Sequence, residues 1–353
     1  MKYLVQRTWY PPPGKARKRK PSRGGFLGAA LAPLSWVFRL ATRPRRTRAP
    51  ALPIAVVVVG NLTVGGSGKT PLVLALIDAL RAEGFTPGVV SRGYGGSLVR
   101  KKNAVHAVEA DEIDSADRYG DEPVLIRWKT GVPVFVGKRR LDVANALIAA
   151  HPEVDVIIAD DGLQHYALPR NFEIVVFDDR GVGNGRLLPA GPLREPLKRL
   201  GTVDAVVLNG EDTSLPVLPE GLVLASEPHR MTLVPSAAYR VNDPRETREL
   251  TGFRGMRLTG AAGIANPQRF FDTLRKFGLK FHRMPLDDHY TYQENPFTER
   301  TSEAILMTEK DAIKCRRFEE PRMWAVPITP TIDRRLVDAV LKHVGGSRKT
   351  SST

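Results

Sequence analysis

The run Val56-Val57-Val58-Val59 leads into Gly60-Asn61-Leu62-Thr63-Val64-Gly65-Gly66-Ser67-Gly68-Lys69-Thr70, after which an amphipathic helix begins. This order of buried strand, glycine-rich turn and Gly-Lys-Thr is the layout of a phosphate-binding loop. Gly65, Gly66 and Gly68 carry no Cβ, so the backbone around Ser67 can fold tightly and turn its N–H groups toward phosphate oxygens. Lys69 supplies a positive charge for the β and γ phosphates and Thr70 a hydroxyl ligand for Mg²⁺, with the partial positive charge of the helix N-terminus behind them. Thr63 stands where the strict pattern G-x-x-x-x-G-K-[ST] has its first glycine.

Other residues have the types that such chemistry uses. Asp160-Asp161 end an apolar strand, where a carboxylate can hold Mg²⁺ directly or through water. Gly120-Asp121-Glu122-Pro123 carries adjacent carboxylates; spacing alone leaves open whether they do acid–base work or cap the next helix from a solvated turn. Asp288-His289 is equally open between a working histidine and an exposed one. Arg140 opens a helix. Arg194 lies in Leu187-Leu188-Pro189-Ala190-Gly191-Pro192-Leu193-Arg194-Glu195-Pro196, which is too stiff for a random linker but also suits a rigid structural loop.

The elements that position these residues alternate strand and helix. Ile54 to Val59, Val132 to Val136, Val154 to Ala159, Glu173 to Phe177 and Ala205 to Leu208 read as strands, with helices over Thr70 to Glu83 and Arg140 to Ala150. This predicts an α/β, doubly wound, mostly parallel sheet whose ligand site lies beyond the strand carboxyl ends. Past about Thr232 the alternation weakens and then resumes through helices at Pro267 to Phe277 and Arg334 to Val344. The expected organisation is a basic disordered arm at 1–25, an interfacial segment at 26–50, a phosphate-binding core at 51–240, a smaller α/β domain at 241–345 and a flexible tail at 346–353.

Charge distribution narrows the partners. The net charge is +15, yet thirteen of the 53 Lys and Arg and none of the 38 Asp and Glu lie in residues 1–50, leaving a net of +2 beyond them. The arm lacks interleaved aromatics between Lys15 and Arg23, so nucleic acid is not expected as a partner. Phe26 to Ala41 is apolar on one face but interrupted by Pro33 and Arg39, and Arg43, Arg45, Arg46 and Arg48 follow. It is too short to span a bilayer and fits a helix lying in an anionic leaflet, with a core helix or an organellar targeting segment as alternatives. One cysteine, Cys315, excludes an internal disulfide and a cysteine-built metal site.

Seven ordered motifs make the pattern specific: Val59 to Pro71, Ser91-Arg92-Gly93-Tyr94-Gly95, Gly120 to Pro123, Asp160-Asp161-Gly162-Leu163-Gln164-His165, Gly183-Asn184-Gly185-Arg186 through Pro196, Gly263-Ile264-Ala265-Asn266-Pro267 and Thr308-Glu309-Lys310-Asp311-Ala312. Together they resemble tetraacyldisaccharide 4'-kinase, the membrane-associated lipid A kinase family of Gram-negative bacteria, over roughly residues 26–344. Thr63 is usual for that family. The resemblance implies a P-loop kinase that transfers the γ-phosphoryl group of ATP to the 4'-hydroxyl of a tetraacylated glucosamine disaccharide 1-phosphate. It implies a peripheral protein at the cytoplasmic face of the inner membrane, and a monomer is expected. By the same resemblance Asp121 is the general base with His289 as its partner, and Glu122, Asp160 and Asp161 help Thr70 place Mg²⁺. Arg140 and Arg194 bind phosphate, on the nucleotide or on the lipid, and Gln164 orders the ATP site. The alternative is a P-loop GTPase of metallochaperone or switch type, since Thr308-Glu309-Lys310-Asp311 faintly resembles a guanine-selecting lysine–aspartate element.

Overall fold

The structure is a computed structural model that describes residues 9–10, 31, 34–35, 51–100, 104–111, 114–210, 215 and 220–347. The expected interfacial segment at 26–50 lies outside the described residues except for Leu31, Leu34 and Ser35, as does most of the tail. Among the described residues no helix is long and apolar enough to cross a membrane.

In chain order the elements are β1 (Ala55–Gly60), α1 (Lys69–Ala82), β2 (Pro87–Ser91), β3 (Val105–Ala107), α2 (Ser115–Tyr119), α3 (Asp121–Thr130), β4 (Val134–Gly137), α4 (Arg140–Ala150), β5 (Val156–Asp160), β6 (Phe172–Phe177) and β7 (Ala205–Asn209). There follow β8 (His229–Pro235), β9 (Ala238–Arg240), β10 (Asp243–Arg248), β11 (Leu258–Ala262), α5 (Pro267–Lys276), β12 (Phe281–Pro285), β13 (Ala304–Thr308), α6 (Glu309–Cys315), β14 (Met323–Val326), β15 (Ile328–Ile332) and α7 (Arg334–Val344). They fall into two compact units, each built from discontinuous stretches: Met1–Lys69, Asp161–Thr232 and Ile332–Gly346 form one, and Thr70–Asp160, Leu233–Thr331 and Ser347–Thr353 the other.

In the first unit β1, β6, β7 and β8 run parallel in the order β8-β7-β6-β1, with Val57 beside Phe172, Ile174 beside Ala205 and Val207 beside His229. Every residue of β1, β6 and β7 is buried, which is why these strands appear in the sequence as continuous apolar runs rather than as alternations. Gly60 closes β1 because a Cβ there would lie 2.5 Å from the Leu163 Cβ.

In the second unit β5, β2 and β4 are parallel neighbours and β3 is an antiparallel edge, in the order β5-β2-β4-β3. The expected α/β, mostly parallel architecture is therefore present. The same unit holds a six-stranded sheet in the order β10-β9-β14-β13-β11-β12. Period-two alternation divides that sheet between two cores. Leu306 and Trp324 face Phe270, Phe271 and Leu274 of α5, whereas Ile305, Met307 and Met323 face Ala312 and Cys315 of α6 with Tyr292 and Phe297. α6 is thereby fixed against the loop that contains Tyr290 and Tyr292.

Part of the stretch expected to be disordered is packed. The Trp9 indole N–H donates to the Pro189 carbonyl (3.2 Å), the Asn184 N–H donates to the Trp9 carbonyl (2.7 Å), and the Arg180 guanidinium lies over the Tyr10 ring. Mean polarity concealed two adjacent aromatics, both half-buried, that carry apolar area and a polar tip.

Gly60→Ala is expected to destabilise the protein by about 1–3 kcal/mol, since neither backbone nor Leu163 can yield enough room for the methyl group. Thermal melting checks this, and an unchanged midpoint would contradict the packing described.

Candidate active site

The phosphate loop is held open by side chains of its own unit. Gly65 and Gly68 have φ of 100° and 93°, values that L side chains rarely adopt, and a Cβ at Gly68 would meet Asn209 Nδ2 at 2.1 Å. That same Asn209 amide donates to the Ser67 carbonyl (2.9 Å), and Asn61 Nδ2 donates to the Gly65 carbonyl (3.2 Å). With carbonyls tied back to these amides, the loop keeps its turn without relying on a ligand. Arg180, paired with Asp178, donates to the Gly66 carbonyl.

The proline-rich run is strapped to the loop. The Val64 N–H donates to the Pro192 carbonyl (2.9 Å) and the Arg194 N–H to the Leu62 carbonyl (2.7 Å). This delivers Arg194 to Asp161 (3.0 and 3.1 Å) and to Gln164 Oε1 (3.3 Å), while Gln164 Nε2 donates to the Asn61 carbonyl (3.2 Å) and to Glu195 (2.8 Å). Lys69, 8% exposed, reaches Asn61 Oδ1 (3.4 Å) and Asp161 (3.6 Å). Lys69, Asp161, Gln164 and Arg194 therefore form one polar network around the loop. Asp161 has φ 48°, a left-handed conformation that its short polar side chain tolerates.

Thr70 is the second residue of α1 and half-buried. Asp160 ends β5 fully buried and accepts from the Ser91 hydroxyl (3.3 Å). Arg140 is 2% exposed and its guanidinium donates to the Gly137 carbonyl at the end of β4, so it is buried at the helix start and turned back on its own chain.

Asp121 and His289, 168 positions apart, are in contact in the second unit: His289 Nδ1 lies 3.1 Å from Asp121 Oδ2. Asp121 opens α3 behind Gly120, whose φ of 93° turns the chain into the helix, and its Oδ1 accepts from the Glu122 N–H (3.0 Å). Oδ2 also meets Lys314 Nζ (3.3 Å) and Lys310 Nζ (3.7 Å). Burial by itself would raise the Asp121 pKa; the Lys310 charge, the His289 hydrogen bond and the Lys314 charge outweigh it and hold the carboxyl well below the usual range. The hydrogen bond to Asp121 raises the His289 pKa against burial and Lys310, which lower it. An ionised carboxylate only accepts, so Nδ1 carries the proton and Nε2 is the nitrogen left to accept one. His289 is 29% exposed in its side chain against 5% for Asp121, and the exposed Tyr94 ring lies 5.2 Å from the imidazole. Glu122 Oε1 accepts from Lys310 Nζ (3.0 Å).

The lysine–aspartate element is turned inward. Lys310 is engaged by Glu122 and Asp121. Asp311 is fully buried, where its carboxylate accepts from the Gly263 N–H (3.0 Å) and the Thr308 hydroxyl (2.6 Å). Neither residue presents itself as a reader of a nucleotide base. The structure also brings in residues to which sequence reasoning assigned no role: Asn61, Asn209, Arg180, Tyr94 and Lys314. Asn61 and Tyr94 lay within the quoted motifs. For Lys314 the only signal was its i, i+4 spacing from Lys310.

Comparison with known proteins gives the family and the fold. The family model described as tetraacyldisaccharide-1-P 4'-kinase matches residues 27–345. The tetraacyldisaccharide 4'-kinase of Herminiimonas arsenicoxydans is 45% identical, covering 93% of this chain and 95% of its own. That of Dechloromonas aromatica is 41% identical, with 97% of each chain covered. The crystal structure of LpxK from Aquifex aeolicus, in complex with ATP, is similar with a TM-score of 0.71 at 28% identity, covering 90% of this chain and 99% of that one.

The Asp121 environment has a pH signature. Its folded pKa is depressed, so the stability it contributes is fully present above the ordinary carboxylate value of about 3.9 and is lost as pH falls through the folded value. Asp121→Asn is expected to destabilise the protein at pH 7 by roughly 3–5 kcal/mol, because two buried ammoniums lose a counter-charge. Melting curves from pH 7 to pH 3 should show the gap to the parent narrowing below about pH 4. A gap independent of pH would contradict the charge assignment.

Proposed function

The chain belongs to the tetraacyldisaccharide-1-P 4'-kinase family, and from that premise we propose that it transfers the γ-phosphoryl group of ATP to the 4'-hydroxyl of a tetraacylated glucosamine disaccharide 1-phosphate, a lipid A precursor. The Asp121–His289 hydrogen bond is the observation that carries the reading, because it is a positioned base unit of the kind a hydroxyl acceptor needs. The acceptor O–H proton passes to His289 Nε2 while the new O–P bond forms and the bond from the γ phosphorus to the bridging oxygen of ADP breaks. Asp121 stays ionised throughout and stabilises the imidazolium, so the two residues act as one base.

The phosphate loop supplies charge and orientation. Backbone N–H groups of Gly65 to Lys69 and the Lys69 ammonium take the phosphates, and Gln164 and Arg194 fix the network behind them. Arg194 is the phosphate-binding arginine of this reading. Arg140, buried at the start of α4, supports the end of β4. Mg²⁺ would take hard oxygen donors of the kind that Thr70, with its hydroxyl, and Asp160, with its carboxylate at the end of β5, offer in the second unit, while in the first the Asp161 carboxylate lies beside Lys69 and Arg194. Bound there it would neutralise charge on the phosphates. We place the enzyme peripherally at the cytoplasmic face of the inner membrane, as a monomer. The apolar Phe26 to Ala41 stretch and the following arginines support contact with anionic lipid.

Transfer of labelled γ-phosphate from ATP to a monophosphorylated lipid A precursor in detergent micelles tests the function directly. The parent should label the disaccharide, Lys69→Ala should not, and GTP should be the poorer donor; labelling that GTP supports equally well would revive the GTPase alternative. His289→Ala is expected to lower kcat by ~10²–10⁴. A near-normal kcat would remove His289 from the mechanism.

A further inference from the structure

Lys314 is 4% exposed and lies outside every motif of the sequence pattern, yet its ammonium touches Asp121 and the backbone next to His289. Nζ is 3.3 Å from Asp121 Oδ2 and donates at 2.8 Å to the carbonyl of Tyr290, the residue that follows His289. The Tyr292 ring lies 5.7 Å away on the same ammonium. Asp121 starts α3, whereas His289 sits in the loop after β12 with φ 60° and its N–H on the Gly263 carbonyl (3.2 Å). These two elements share no covalent proximity, and one three-donor cation joins them.

From this geometry we infer that Lys314 is a positioning residue of the phosphoryl-transfer reaction: its ammonium clamps the Asp121 carboxylate and the His289 loop into register, and thereby sets the hydrogen bond that orients the imidazole. Charge compensation alone does not account for it. Lys310 already offers an ammonium to Asp121 and Glu122 on the same helix. What Lys314 adds is the bond to the Tyr290 carbonyl, which a simple counter-ion has no reason to make. Its stem reaches that point because α6 packs Ala312 and Cys315 against the core that also contains Tyr292. A compact ammonium can meet a carboxylate and a carbonyl at once in so small a space; a planar guanidinium cannot do so without moving one of them.

The inference rests on the kinase reading, and the test separates the two. In the full-length protein, Lys314→Met is expected to lower kcat ~10–100-fold while KM for ATP and for the lipid acceptor stays within about threefold, because geometry rather than binding is lost. In a His289→Ala background the same substitution should cost nothing further in kcat, since the imidazole it orients is gone. Lys314→Arg keeps the buried charge and the fold but not the clamp, so its melting temperature should approach the parent's while its kcat remains reduced. Full kcat in Lys314→Arg, an unchanged kcat in Lys314→Met, or an equal loss with and without His289 would each overturn the inference. A parent protein that labels no disaccharide would instead overturn the kinase reading itself.

Discussion

A carboxylate with 5% of its surface exposed persists as an anion only if its surroundings replace water, and the Asp121 site is built around that constraint. The Glu122 N–H, the His289 imidazole and two ammoniums do so. Each comes at the cost of placing another element. α3 must begin at Asp121, α6 must lie on one face of the six-stranded sheet, and the loop after β12 must fold back so that the His289 N–H meets Gly263. Asp311 belongs to the same scheme: buried beneath that loop, it ties the Gly263 N–H to the Thr308 cap of α6. A Cβ at Gly263 would meet Asp311 Oδ1 at 2.7 Å, so the glycine is a requirement of the same packing.

The phosphate loop solves a related problem with neutral groups. Its carbonyls are satisfied by Asn61, Asn209 and Arg180. The Gly183 to Pro196 run is held to the loop by backbone hydrogen bonds and carries Arg194 with it. Trp9 and Tyr10 pack beside that run, at Gly183, Pro189 and Arg180.

What could be seen in the sequence follows from how each element is buried. β1, β5, β6 and β7 are buried on both faces and are continuous apolar runs, and the Gly-Lys-Thr turn depends only on local order; both were legible. β10, with residues Asp243-Pro244-Arg245-Glu246-Thr247-Arg248, and β12, with Phe281-His282-Arg283-Met284-Pro285, are polar edge strands of the six-stranded sheet, without an apolar pattern to mark them. In the site, Asp121 and His289 were named through family resemblance, because residues so distant in sequence leave no spacing signal. Lys310 was legible only as a nucleotide-base reader, its actual partners being on another helix. Lys314 was legible only as a neighbour of Lys310 one helical turn on: a lysine becomes a clamp only when the fold has buried it.

The state of His289 tests the account most directly. Isotope-labelled histidine in the full-length protein, with His289 assigned by loss of its signal in His289→Gln, allows the imidazole to be titrated by NMR. The arrangement described predicts a pKa above the ordinary value of about 6.5, with the neutral form protonated on Nδ1, and a fall in that pKa in Asp121→Asn. A His289 that titrates at or below the ordinary value, or that is unaffected by Asp121→Asn, would contradict the pairing on which the mechanism stands.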